Sequence, residues 1–260
     1  MASIRNRWPV DDFDLLIDLH RDGERQGPGG DAETELALQL AGVDRTAPLR
    51  LADIGCGTGA STLLLARRLC HARITSVDLL PEFLEVLEAR ARQQGAAEAI
   101  TTCACSMDSL PFAEGELDVI WSEASIYNIG FASGIAAWRR FLKPGGLLVV
   151  SEIIWTTASR PADLQRHWQT EYPEIDLAST KIGQLEQHGY APIGYFVLPQ
   201  HCWLDHYYRP LQARFDAFLR RHGHSESARA IVSAEEREIQ LYEDHKAHFG
   251  YGMVVARRVG

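Results

Sequence analysis

LADIGCGTGAS, residues 51–61, limits the fold more than any other stretch of this chain. A short apolar run ends on Gly55, and Cys56 and Thr58 alternate with Gly57 and Gly59 before a segment with helical spacing begins, ASTLLLARRL (60–69). Glycines allow a tight reversal and close backbone approach, and the following helix offers unpaired N–H groups and the positive end of its dipole. The chain then keeps alternating. ARITSVD (72–78) is β-branched and stops on an acid, and PEFLEVLEARARQQG starts at Pro81 and stops before Gly95. EAITTCAC (98–105) and ELDVIWSE (116–123) read as strands, GIAAWRRFLKPGG as a helix closed by Pro144 and Gly145, and GLLVVSEIIW (146–155) as a fully apolar strand. Strands alternating with helices imply a parallel sheet covered on both faces. Ligands of such sheets lie beyond the carboxyl ends of the strands, so Glu123, Tyr127, Glu152 and Trp155 are expected to face one crevice.

The last third differs. DLQRHWQTEYPEID reads as a helix that turns at Pro173, and Tyr195 to Leu198 as a strand. Two amphipathic helices, YRPLQARFDAFLRRHG and SAEEREIQLYEDHKAHFG, precede a last strand in YGMVVARRV. No repeat or Gly/Ser-rich linker divides the 260 residues, and one domain with added helices is expected over 1–260: a helical lid in 1–47, a core in 48–155, and acceptor-side helices with the last two strands in 156–260. The apolar stripes of the late helices pack on this domain or on a second subunit of a homo-oligomer. A net charge of -9 argues against nucleic acid or an anionic membrane as the main partner. No apolar run reaches the roughly 20 residues of a membrane span, and the start of the chain lacks a signal-peptide core. Five cysteines, an odd count in a long chain, fit a reducing cytoplasm better than a disulfide framework.

The glycine turn alone leaves the cofactor open, because Gly55, Gly57 and Ala60 also satisfy the dinucleotide fingerprint. Three acids shift the balance. Asp53 lies two residues before the first glycine, where a pyrophosphate would be repelled. Asp78 ends the second strand and can accept both hydroxyls of a ribose, and Asp108 in CSMDSLPF can accept from an adenine amino group. S-adenosylmethionine (SAM), with no phosphate and two cationic centres, suits such a rim. Each acid also has a plainer role, Asp78 as a helix cap and Asp108 as a turn residue.

The ordered set ADIGCGTG, VDLLPEF, SMDSLPF, LDVIWSEASIYNIGF and FLKPGGLLVVSE resembles the class I SAM-dependent methyltransferases. ERQGPGG, YPEID, LPQHCWLDHYY and FGYGMVVARR extend the resemblance over nearly the whole chain, toward small-molecule methyltransferases of the ubiquinone/menaquinone type. It implies a doubly wound, Rossmann-like α/β fold with a seven-stranded, mainly parallel sheet whose last strand is antiparallel. It also implies that the segment before the first strand closes over SAM, with Arg25, Gln26 and Gly27 at the methionine end. Asp53, Gly55, Gly57, Gly59, Asp78, Met107, Asp108, Ser122 and Glu123 become the other cofactor neighbours.

Beyond the fourth strand the chain enters the space for a small-molecule acceptor. Tyr127 and Asn128, with Trp155, Trp203 and Tyr207, give an aromatic wall with a few polar points, the usual make-up of a small-ligand site. Methyl transfer needs alignment, exclusion of water and, for some acceptors, a base. His201 is the first candidate for that base, since histidine titrates near neutrality, followed by Glu123 and His20; catalysis by proximity alone is the rival. Cys103, Cys105, His201 and Cys202 match no standard metal-ligand spacing, and no metal is expected. The leading reading is a methyltransferase acting on O, N or C of a small, partly apolar metabolite. A nicotinamide-dependent oxidoreductase using the same turn and a non-catalytic SAM-binding module are the alternatives.

Overall fold

A computed structural model of the chain describes residues 10–260; the first nine residues of the expected 1–47 lid lie outside the described part. Among the described residues eight strands form one sheet: β1 (Arg50–Ile54), β2 (Arg73–Asp78), β3 (Ile100–Ala104), β4 (Leu117–Ser122), β5 (Leu142–Trp155), β6 (Asp176–Leu177), β7 (Tyr190–Val197) and β8 (Phe249–Arg258). The continuous order is β3-β2-β1-β4-β5-β8-β7, and β6 pairs with the end of β5 through Ile154–Asp176 and Trp155–Leu177. β8 runs antiparallel to both neighbours, while β1 to β5 are mutually parallel where they pair. The expected seven-stranded path is therefore present, with the two-residue β6 as an addition. Strand order reverses between β1 and β4, and connections leaving in opposite directions open a crevice at their carboxyl ends.

Ten helices frame this sheet among the described residues, and three sets matter for the crevice. α1 (Val10–His20) and α2 (Asp31–Ala41) flank the segment 21–30. α3 (Ala60–Arg68) and α4 (Pro81–Gln93) follow β1 and β2; α5 (Phe131–Trp138), α6 (Ala162–Glu171) and α7 (Ala178–Gln187) come later. α8 (Gln200–Trp203) runs through a π turn at Leu204–Tyr208 into α9 (Arg209–Arg221), and α10 (Glu226–His245) starts on a Ser225 side-chain cap. Phe215, Phe218 and Ile239 from α9 and α10 are buried in the same cluster as Leu16 and Leu19 of α1. The amphipathic stripes of the late helices thus cover the chain's own core. Trp203 centres that cluster, stacked on Tyr242 at 4.3 Å and on Tyr251 at 5.2 Å.

Several boundaries differ from the sequence reading: β7 starts at Tyr190 rather than Tyr195 and α10 at Glu226 rather than Ser233. α5 ends at Trp138, and Lys143, Pro144 and Gly145 belong to β5 rather than to a helix end. Leu142 pairs with Leu117, and the register then shifts before Val119. Such an irregularity lifts the strand off its ladder, where a proline lacking an N–H is tolerated.

Candidate active site

The glycine turn is held by side chains that fill its own hydrogen-bonding capacity. Gly57 N–H donates to Asp78 Oδ2 at 2.8 Å, and Leu80 N–H donates to Asp78 Oδ1 at 3.0 Å. Thr58 N–H donates to Gln26 Oε1 at 2.8 Å. Gly57 sits at φ +54°, and a Cβ there would strike the Gln26 amide, so both backbone and space require glycine. Gln26 also anchors its own segment: its Nε2 donates to the carbonyls of His20 at 3.2 Å and Gly23 at 3.1 Å. Arg90 clamps the junction from α4, donating to Gly23 O at 3.0 Å and Thr58 Oγ1 at 2.7 Å.

A second anchor lies one residue away. Arg25 Nη1 donates to Glu123 Oε2 at 3.2 Å, and Glu123 Oε1 accepts from Thr34 Oγ1 at 2.7 Å and Trp121 Nε1 at 2.9 Å. The Arg25 and Glu123 side chains are 9% and 8% exposed, so this pair is nearly desolvated. Residues 21–30 are therefore seated across the carboxyl ends of β1 and β4 by Gln26 and by Arg25.

Beneath this cover is a cavity of about 400 Å³. Of the residues expected around a cofactor, Arg25, Gln26, Gly27, Gly55, Gly57, Asp78, Met107, Asp108 and Glu123 line it. Leu79, Leu80, Phe83 and Cys105 add apolar walls that the sequence reading omitted; three of them lie in the five residues after Asp78, a visible apolar patch beside the acid. A neighbouring cavity of about 640 Å³ is lined by Leu16, Ile17, His20, Trp168, Trp203, Tyr207, Tyr208, Glu235 and Glu238, among others. Gln26, Gly27, Pro28, Leu80, Phe83, Ala124 and Tyr127 line both cavities, so the two spaces adjoin. Asn128 borders only the smaller one.

Several expected site residues are elsewhere. Asp53 is fully buried below the turn, accepting from Ser61 Oγ at 2.9 Å and Thr62 Oγ1 at 2.6 Å, and ties β1 to the start of α3. Gly59 faces Leu87 of α4 and serves packing. Ser122 is buried, its hydroxyl 2.7 Å from that of Ser125, and Ser125 is the one that reaches the cavity. Trp155 is buried at the end of β5 with Arg160 over its ring, because inward alternation along a fully covered strand turns it into the core. Glu152 is buried with Lys181 Nζ at 2.8 Å and the Tyr172 hydroxyl at 2.7 Å, away from both cavities. His201 also lies outside them, paired with Glu33 Oε1 at 3.1 Å. His20, by contrast, lines the larger cavity, with Nε2 3.2 Å from Glu235 Oε1. Glu235 lies 215 residues away, and nothing local in the sequence pairs the two.

Burial, with smaller contributions from Glu123 and Asp78, pushes the Asp53 carboxyl up to about 7. The folded protein then holds a proton that the unfolded chain releases above about pH 4. Stability from this group falls as pH rises from about 4 to 7 and levels off above, a change on the order of 4 kcal/mol at most. Asp53→Asn is expected to flatten the decline. Thermal melts of both proteins from pH 5 to 8 check it; parallel curves would remove Asp53 as the cause.

Residues 52–150 match the family model described as a methyltransferase domain. A malonyl-[acyl-carrier protein] O-methyltransferase of Laribacter hongkongensis is 31% identical over 115 residues, 42% of this chain and 39% of that protein. The chain spans about two fifths of the length of the first curated relatives it matches. Among solved structures, a SAM-dependent methyltransferase from Geobacter sulfurreducens in complex with S-adenosyl-L-homocysteine has a TM-score of 0.81 at 18% identity, covering 95% of this chain and 98% of that one. The [4+2]-cyclase SpnF has a TM-score of 0.75 at 22% identity, covering 96% and 95%. These likenesses establish the Rossmann-like methyltransferase fold over the described chain.

Proposed function

We propose that this chain, which carries a methyltransferase domain, is a SAM-dependent methyltransferase of a small, partly apolar metabolite, acting in the cytoplasm. The observation that carries the reading is the occupancy of the glycine turn. Its Gly57 and Thr58 N–H groups are already taken by the Asp78 carboxylate and the Gln26 amide. A pyrophosphate would need those donors and would meet a carboxylate, which disfavours the nicotinamide alternative. A ribose needs acceptors. Each Asp78 oxygen already accepts one N–H and retains a second lone pair for a hydroxyl.

In this reading SAM fills the smaller cavity. Its ribose lies on Asp78, its adenine between Leu79, Leu80, Met107 and Asp108, and its methionine end under Arg25 to Gly27. The acceptor fills the larger cavity, whose walls are Leu16, Ile17, Trp203 and Tyr207, and meets the methyl group past Tyr127 and Ala124. His20, oriented by Glu235, is the base for acceptors that must lose a proton. Glu123 is committed to Arg25, Thr34 and Trp121 and holds the cover in place. A non-catalytic SAM-binding module is disfavoured by the second cavity, which such a module does not need.

Calorimetry with SAM and with NAD tests the cofactor; heat from NAD and none from SAM would reverse the assignment. The segment 21–30 is expected to act as a lid, because it is joined to the sheet chiefly through two side-chain anchors and contains Gly27, Pro28, Gly29 and Gly30. A nonspecific protease should cut near 27–30 in the free protein and several-fold more slowly with SAM. Equal rates would mean that this segment does not move with the cofactor.

A further inference from the structure

The π turn at Leu204–Tyr208 has a local effect that the methyltransferase reading does not use. In an unbroken α-helix, residues five apart point about 140° away from each other. The wider turn brings His206 beside His201, ring centroids 5.0 Å apart. Cys202, fully buried, lies next to His201 in the chain. Glu33 of α2 faces the same point: Oε1 is 3.1 Å from His201 Nε2, and Oε2 is buried with no hydrogen-bond partner. One ligand atom from each of Glu33, His201, Cys202 and His206 lies within 4.8 Å of every other.

We propose that Glu33, His201, Cys202 and His206 bind one divalent ion of the zinc class, which fastens the downstream end of the lid to the α8–α9 junction. Two imidazoles, a thiolate and a carboxylate are the donors zinc takes, whereas magnesium and calcium take oxygen. Bonds of roughly 2.0–2.3 Å place tetrahedral ligand atoms about 3.3–3.8 Å apart, so the set must contract by about 1 Å. The two histidines are exposed and can supply that movement by side-chain rotation, while Glu33 and Cys202 are fixed by burial. The orphaned Glu33 oxygen gains a partner. Burial and the Glu33 carboxylate hold the Cys202 thiol protonated in the metal-free protein. Binding replaces that proton with the metal–sulfur bond and releases it to solvent. His206 Nδ1 is 2.9 Å from the Gly29 carbonyl, and a Cβ on Gly30 would strike Glu33 Oε2, so the ligand set touches the lid at two successive residues. The ion would therefore favour the seated lid, through groups separate from the cofactor cavity.

Cobalt(II), a spectroscopic stand-in for zinc, provides the test. The full chain, stripped with a chelator, should bind one equivalent with a thiolate-to-cobalt charge-transfer band and tetrahedral visible bands that Zn²⁺ displaces. Cys202→Ser should abolish the charge-transfer band. His206→Gln, at an exposed position, should weaken binding at least tenfold with an unchanged circular dichroism spectrum. The double variant Cys103→Ser/Cys105→Ser should keep the band, since those thiols, 3.3 Å apart, form the competing soft site. No charge-transfer band at stoichiometric cobalt, or a band that survives Cys202→Ser or is lost in the double variant, overturns the proposal. Because every readout is metal binding, failure here leaves the SAM assignment standing.

Discussion

Asp78→Ala is expected to weaken SAM binding by roughly 10²–10⁴-fold, the loss of two charge-assisted hydrogen bonds of about 1.5–3 kcal/mol each. The carboxylate stands at the end of β2, where it braces Gly57 and Leu80 and still presents two lone pairs to the smaller cavity. Burial raises its pKa, so forming the anion costs energy that its hydrogen-bond donors must offset. Truncation to alanine leaves those N–H groups without their acceptor, so part of the effect could come from a loosened turn. Asp78→Asn separates the two contributions, because one amide oxygen can still accept while the charge is lost. An affinity unchanged in both variants, with melting curves like the parent's, would take Asp78 out of the cofactor site.

His20→Ala should lower turnover by about 10²–10⁴-fold for an acceptor that must lose a proton, with SAM affinity nearly intact. His20 lines the larger cavity at the end of α1, and Glu235 holds one ring nitrogen from α10. A carboxylate in that position fixes the tautomer and stabilises the imidazolium that forms on proton transfer. Glu235→Gln should therefore reduce turnover in the same direction but less. If His20 only shapes the pocket, the loss appears as a raised acceptor KM at constant kcat. That split, measured on the first acceptor found, decides between a base and a wall.

The lining of the smaller cavity was legible because it is local. Gly55, Gly57 and Asp78 sit at strand ends that the alternating pattern marks, and Arg25 to Gly27 lie in a stretch that Gly and Pro punctuate. The lining of the larger cavity was less so. The choice between His20 and His201 depends on partners 215 and 168 residues away, Glu235 and Glu33, and no spacing rule reaches that far. Asp53 and Trp155 show a second blind spot. Each stands two residues from a cavity-lining position, Gly55 and Ile153, yet the sheet is covered on both faces and both side chains are buried in its core. The Glu33, His201, Cys202 and His206 cluster escaped for a third reason: its register is set by a π turn, which periodicity templates built on α-helices and strands cannot represent.

The placing of β8 has a consequence for how the molecule is assembled. Residues 249–258 come after every other described strand, yet they lie inside the sheet, between β5 and β7. Until they insert, β5, fourteen residues long and among the most apolar in the chain, has one open edge along most of its length, and β7 has no partner at all. Open apolar edges invite pairing between chains. A partly synthesised chain therefore already has its glycine turn and its β1–β4 crevice, but its most adhesive surface is covered only by the last ten-residue strand. That strand must pair with β5 across roughly a hundred residues of intervening sequence, a slow kind of contact to form. The central sheet and the larger cavity, which borrows Phe249 and Tyr251 from this strand, are thus completed together in one late step.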